Sequence, residues 1–257
     1  MLSKVKYFII DMDGTFYLGD NLIEGSLDFL KAVKESGRDF MFFTNNSSNN
    51  KTVCAERLKK LGCDIEKEKI ILSTDVSIDY IEKNYPGKTV YLLGNERLTA
   101  EFEKSSIELV DDNPNIVVLG FDTTLTYEKI RKAAMFIANG CTYIATHPDF
   151  NCPTADGFMP DTGSMIELFY ASTNKRPQVL GKPMTPTVDY VTDLLGCKRD
   201  EIAFIGDRLE TDIKIGCDHN ITSILVFSGV TSEEDYTVSD IKATIAVERL
   251  EKLIDLL

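Results

Sequence analysis

No stretch of this 257-residue chain approaches the length of a membrane span, and no surplus of Lys or Arg exists to neutralise the phosphates of a nucleic acid. Forty-one acidic residues stand against 28 basic ones, a formal net charge of −13. Neither a membrane nor a nucleic acid is therefore expected as a partner. The apolar run that follows Lys4 and Lys6 is cut off by Asp11, which makes it too short for a secretory signal. Cysteine offers no metal-ligand spacing: Cys54, Cys63, Cys141, Cys152, Cys197 and Cys217 contain no C-x-x-C pair. That argues against structural zinc and for reduced thiols in a cytoplasmic protein. Histidine is scarcer still. His147 and His219 lie far apart, neither has a second ligand candidate at helical spacing, and both read as structural.

What is present is a near-continuous alternation of short apolar runs with amphipathic stretches, the pattern of βαβ units around a parallel sheet. The expected fold class is α/β. The length allows one large domain or two smaller ones. Strands are expected at Val5 to Ile10, Phe40 to Phe43, Ile70 to Leu72, Thr89 to Leu93, Ile116 to Leu119, Thr142 to Ala145, Ile202 to Ile205 and Ile224 to Phe227. Helices are expected from Ser26 to Glu35, stopped by Gly37, from Lys51 towards Gly62, and from Thr126 to Ala138. A further helix starts near Pro183 and carries Val188, Val191 and Leu195, and a last one starts at Glu248. Between Thr146 and Gly163 the repeated prolines and Gly157 read as a long loop, with Asp149, Asn151 and Asp156 as turn formers; loops of this length are often functional.

The chemistry concentrates where apolar strands stop. Val5 to Ile10 ends in Asp11-Met12-Asp13-Gly14-Thr15, with two carboxylates at i and i+2. If the strand continued through them, both would project to the same side. Paired carboxylates repel and raise each other's pKa unless a cation compensates, so the motif fits a divalent-metal site or shared proton chemistry. Taken alone it equally fits an ordinary turn. Two other strands end in Thr44 with Asn45 and in Asp207, and Lys182 stands between Gly181 and Pro183. Strand carboxyl ends of an open parallel sheet share one edge, so distance along the chain is no obstacle to a single site. Carboxylates, a hydroxyl, amides and one ammonium together suit an oxyanion bound beside a hard cation.

Four segments in this order resemble the motifs of the haloacid dehalogenase (HAD) superfamily: Asp11-Met12-Asp13-Gly14-Thr15, Phe43-Thr44-Asn45-Asn46, Gly181-Lys182-Pro183 and Gly206-Asp207-Arg208-Leu209-Glu210-Thr211-Asp212. The wording of the second and fourth, and the long insertion between the second and third, resemble the NagD-like or para-nitrophenylphosphatase branch. The resemblance implies a Rossmann-like core formed by residues 1–76 and 179–257, with an inserted α/β cap domain at 77–178. It also implies a Mg²⁺-dependent phosphatase acting on a small phosphorylated metabolite. In that scheme Asp11 is the nucleophile that forms an aspartyl-phosphate, and Asp13 protonates the leaving oxygen and then activates water. Thr44, Asn45 and Asn46 hold the phosphoryl group, while Lys182 offsets charge on Asp11 and on the phosphate. Mg²⁺ sits on the Asp11 side chain, the Asp13 main-chain carbonyl and Asp207, with Asp212 at the edge of its shell.

Arg208 is counted with the substrate-binding residues because the matching family region can contact substrate, although a solvated loop is the better reading of Arg208 and Glu210. Asp122 reads as a turn residue, since no second acid follows it. The segment from His147 to Gly163 is the candidate for substrate choice; it has Pro160-Asp161 where the family places Pro-Gly before Thr-Gly-Ser. Among rival chemistries a dehalogenase has no need of Asp13 or Asp207. A phosphomutase shares the aspartyl-phosphate and differs by shielding it from water. A phospho-accepting receiver fits the acids, Thr and Lys but not the inserted block. No motif bears on oligomeric state.

Overall fold

The computed structural model describes residues 2–154 and 157–257. Its main sheet has six strands in the order Ile245–Val247, Thr222–Val226, Ile202–Gly206, Tyr7–Ile10, Asp39–Thr44, Ile70–Leu72. Tyr7–Ile10 lies in the middle and runs parallel to both neighbours, with Ile10 paired to Ile205 on one side and to Phe42 on the other. From this strand the chain goes one way to Asp39–Thr44 and, much later, the other way to Ile202–Gly206. That reversal is the switch point of a doubly wound sheet, beside which open α/β sheets place their sites. Apolar residues cover both faces of these strands: Phe8, Ile9, Ile10, Phe40 and Phe42 are all buried, as continuous apolar runs require in a sheet covered on both sides. Edge-to-face contacts of Phe8 with Phe29 and of Phe42 with both Phe16 and Phe40 fix the packing around the central strand.

The chain divides into two compact units: Met1–Thr44, Lys51–Ile71 and Lys182–Leu257 form the first, and Asn45–Asn50 with Leu72–Gly181 form the second. The second has its own four-stranded parallel sheet, ordered Gln178–Val179, Thr142–Ala145, Ile116–Leu119, Val90–Leu93. Tyr91, Leu93, Val117, Leu119 and Tyr143 on its strands pack with Ala133 and Ile137 of helix Tyr127–Ala138 and with Ile166 and Phe169 of helix Thr162–Thr173. Thr126 caps the first of these helices by accepting from the Lys129 N–H.

Four expectations from sequence are corrected. The segment between Thr146 and Gly163 is not an uninterrupted loop: Asn151–Thr154 pairs antiparallel with Gly157–Pro160, and a helix begins at Thr162. A two-stranded hairpin leaves the outer edge of each strand without ladder bonds, so Pro153 and Pro160 are accommodated there. Asp156 lies outside the described residues. The helix after Lys182 starts at Thr185 rather than at Pro183, with Pro186 in its first turn. The last segment, Leu250–Leu256, is a 3₁₀ helix that buries Leu250 and Leu253. Finally, the first strand ends at Ile10, so Asp11 and Asp13 do not share a strand face.

Candidate active site

Beyond Ile10 the backbone turns sharply. The Met12 carbonyl accepts from the N–H groups of Phe16 and Tyr17, at 2.9 and 3.2 Å, and the Gly14 N–H donates to the Tyr17 carbonyl at 2.8 Å. Gly14 adopts φ +84°, and a Cβ there would overlap the Asp207 carboxylate, so only glycine lets the turn lie against that acid. Gly229 meets Asp207 in the same way from the other side. Asp207, one residue past the neighbouring strand Ile202–Gly206, is fully buried. Its Oδ2 accepts from the Val230 N–H at 2.6 Å and its Oδ1 from the Thr15 hydroxyl at 3.3 Å.

Lys182 enters this cluster from the segment that precedes helix Thr185–Leu195. Its side chain is 2% exposed, and Nζ donates to Asp11 Oδ1 and to Asp212 Oδ1, each at 2.6 Å, with the Phe43 carbonyl at 3.4 Å. Asp212 lies in a π-helical turn, Leu209–Ile213, and its Oδ2 accepts from the Arg208 N–H at 3.2 Å. Turns of this kind often occur at functional sites. Carboxylate oxygens of Asp11, Asp207 and Asp212 all lie within 4.8 Å of one another. Three hard oxygen donors gathered so closely, with glycines clearing space around one of them, fit a divalent cation. The Asp13 carboxyl is not part of this cluster; it accepts from the Tyr17 hydroxyl at 3.0 Å and faces Arg57 at 3.7 Å.

Electrostatics follow from burial. Desolvation pushes Asp11 well above the usual carboxylate range against the pull of Lys182, and the neighbouring Asp212 and Asp207 push it further. Asp207 rises to about 6, through burial first and then Asp212, with the Val230 N–H and Arg208 opposing. Burial by itself would lower Lys182, but Asp11 and Asp212 hold it above its ordinary value, so it stays an ammonium. Asp13 is raised by desolvation, against Arg57 and the hydrogen bond from Tyr17. Burial and the adjacent Asp13 carboxyl likewise raise Tyr17, which keeps its phenol a hydrogen-bond donor.

Of the residues singled out from sequence, the first unit therefore gathers Asp11, Lys182, Asp207 and Asp212. Thr44 is buried at the end of the strand beside Tyr7–Ile10. Asn45 and Asn46 belong to the second unit: Asn45 donates to Asp149 Oδ1 at 3.3 Å, and the Asn46 carboxamide oxygen accepts from the Ser48 N–H and hydroxyl. Arg208 is half-buried and close enough to Asp13 and Asp207 to lower both. Asp122 caps its own turn, accepting from the Thr124 N–H at 2.8 Å, and pairs with Lys129 at 2.7 Å. His147 is buried with Nε2 2.9 Å from Asp161 Oδ1, and Asp149 stands close by, a grouping that helical spacing could not reveal. Sequence reasoning missed Thr15, Gly229 and Val230 around Asp207, as well as Tyr17 and Arg57 around Asp13.

Comparison with known proteins agrees with this arrangement. Residues 8–108 match a family model described as haloacid dehalogenase-like hydrolase, and residues 179–253 match a second, described as HAD-hydrolase-like. An acid sugar phosphatase of Staphylococcus aureus is 32% identical over 254 residues, 98% of either chain. The crystal structure of a 4-nitrophenylphosphatase from Thermotoga maritima superposes with a TM-score of 0.95 at 40% identity, covering 99% of this chain and 98% of the other. NagD from Escherichia coli K-12 gives a TM-score of 0.90 at 26% identity over 97% and 98% of the two chains. The chain therefore belongs to the haloacid dehalogenase-like hydrolases, in their NagD-like branch.

Proposed function

We propose that this protein is a Mg²⁺-dependent phosphatase that hydrolyses small phosphomonoesters through an aspartyl-phosphate on Asp11. The observation that carries the reading is Lys182, buried and held at 2.6 Å from both Asp11 and Asp212 beside Asp207. A carboxylate attacks a phosphate dianion poorly because both are negative, so fixed positive charge at the point of approach is what such a reaction needs. Lys182 supplies one such charge. Mg²⁺ held by the Asp11 and Asp207 side chains and the Asp13 carbonyl, with Asp212 at the edge of its shell, supplies the rest and keeps Asp11 ionised.

Asp11 attacks phosphorus while Asp13 gives its proton to the leaving oxygen. Asp13 then removes a proton from the water that cleaves the acyl phosphate, which returns both acids to their starting forms. Thr44 with the Asn45 and Asn46 segment holds the phosphoryl oxygens, Arg208 contributes positive charge towards the substrate, and residues 77–178 act as the cap that selects it. The name of the Staphylococcus aureus relative makes sugar phosphates the first compounds to assay. Six free thiols fit work in the reducing cytoplasm.

The test is phosphate release across a panel of phosphorylated metabolites, with Mg²⁺ and with chelator, for the parent and for Asp11→Asn. Expected is Mg²⁺-dependent release that Asp11→Asn abolishes. Normal turnover by that variant would refute the nucleophile assignment.

A further inference from the structure

Asp13 is held from behind by two residues to which the scheme above gives no part. The turn at Met12 brings Tyr17 back beside Asp13, and Tyr17–Leu18 then pairs antiparallel with Asn21–Leu22. The Tyr17 hydroxyl donates to Asp13 Oδ2 at 3.0 Å, and Tyr17 is buried. Over its ring lies the Arg57 guanidinium, 4.4 Å from the centroid, contributed by helix Lys51–Lys60. The same guanidinium donates to the Gly19 carbonyl at 3.0 Å and stands 3.7 Å from Asp13 Oδ1. One cation therefore pins the hairpin, flattens the phenol ring and faces the free side of the carboxyl, all within the first unit. The Asp13 side chain, by contrast, is 45% exposed.

We infer that Tyr17 is a positioning residue for Asp13: by occupying Oδ2 it leaves Oδ1 as the oxygen that carries the proton, while Arg57 both holds the Tyr17 ring and faces Oδ1 itself. The inference rests on the proposed role of Asp13. In the first transfer the bond from Asp11 to phosphorus forms, the bond from phosphorus to the ester oxygen breaks, and the proton on Asp13 Oδ1 goes to that oxygen. Asp13 is left as a carboxylate that accepts a proton from water in the second step. A carboxyl free to rotate presents the wrong oxygen, or none, for part of the time. The penalty grows with the need of the leaving group for a proton.

The experiment measures kcat/KM, which reports the first transfer, for aryl phosphates graded from p-nitrophenyl to phenyl phosphate. It compares the parent with Tyr17→Phe, Arg57→Gln and the double variant. Tyr17→Phe keeps the ring under Arg57 and removes only the hydroxyl. It is expected to lose about tenfold on phenyl phosphate and less than about twofold on p-nitrophenyl phosphate, a fraction of the ~10²–10⁴ that acid catalysis supplies. Arg57→Gln, which also removes the charge facing Asp13 Oδ1, is expected to show the same split at smaller size, and the double variant to lose less than the two single losses combined because Arg57 acts in part through the Tyr17 ring. A loss equal across the series, or no loss, overturns the inference while leaving the phosphatase reading intact. A parent that releases no phosphate from any of these esters overturns both.

Discussion

Lys182→Met is the most exposing single change, because it keeps the volume of the side chain and removes only its charge. In the parent, Nζ is the partner of two buried carboxylates at 2.6 Å, and a third, Asp207, lies within reach of the same cluster. Deleting one member of a buried ion pair costs ~3–5 kcal/mol, because the partner is left charged without water. At ~2–4 °C per kcal/mol for a chain of this size, the metal-free variant should melt ~6–20 °C below the parent at pH 7.

The sign of the pH dependence follows from the acids. Asp11 and Asp207 already stand above the ordinary carboxylate range in the folded protein, and losing Lys182 pushes Asp11 further up. Groups with raised folded pKa values contribute stability at low pH and lose it as pH rises through the folded value. The deficit of the variant should therefore shrink by at least half at pH 5, where the cluster takes up protons, and saturating Mg²⁺ should recover part of it at pH 7. Thermal unfolding followed by circular dichroism, at both pH values and with or without Mg²⁺, measures all three quantities. An equal deficit at pH 5 and pH 7 would refute the charge argument, since a packing defect has no reason to titrate.

The parent itself should show a related effect once stripped of metal. With Asp207 held at about 6 against an ordinary 3.8, its contribution is present below about pH 4 and lost as pH rises through 6. The loss is worth about 3 kcal/mol at ~1.36 kcal/mol per pH unit. The gain in melting temperature on adding Mg²⁺ should accordingly be larger at pH 7 than at pH 5, and a gain that does not change with pH would count against a metal on this acid. Gly229→Ala places a methyl group against the Asp207 carboxylate. It should weaken Mg²⁺ binding, read by calorimetry, about 10–100-fold, the usual cost of disturbing the support of a metal ligand, with the far-ultraviolet spectrum unchanged. Parent-like affinity would show that Asp207 is free to move.

How much of this was legible in the sequence depended on where the physical signal sat. The bounds of helix Ser26–Glu35 were readable because Leu30 and Val33 recur at helical spacing and Gly37 ends it at φ +77°, but of the expected face Leu27 is exposed and Phe29 is buried in its place. Helix Ser73–Asn84 went unnoticed because its buried face is half hydroxyl. Ser73 donates to the Asn45 carbonyl and Ser77 to the Ser73 carbonyl, so burial there leaves no apolar period. Helix Thr162–Thr173 failed for the opposite reason: apolar side chains run round it at Met165, Ile166, Leu168, Phe169 and Tyr170, and no stripe stands out. Asp11, Lys182 and Asp207 could be found because each lies within three residues of a readable element. Tyr17 and Arg57 could not, since only the tight turn after Met12 and the approach of a separate helix bring them to Asp13.

On the proposed scheme, the charges in the site explain why it would use both a lysine and a metal. Three clustered carboxylates and one ammonium sum to −2 if all are ionised, and the elevated Asp11 and Asp207 express that imbalance as a readiness to bind protons. In the proposed reaction a divalent cation would bring the sum to zero and leave Asp11 ionised, and a bound phosphate dianion would restore −2 beside the Lys182 ammonium. Lysine alone leaves the nucleophile protonated for part of the time, and a metal alone leaves Asp212 buried and unpaired. On the proposed scheme Asp212 works mainly through Lys182, fixing the ammonium beside Asp11 from the π-helical turn, and Asp13, outside the cluster and held by Tyr17, is the acid that would move a proton.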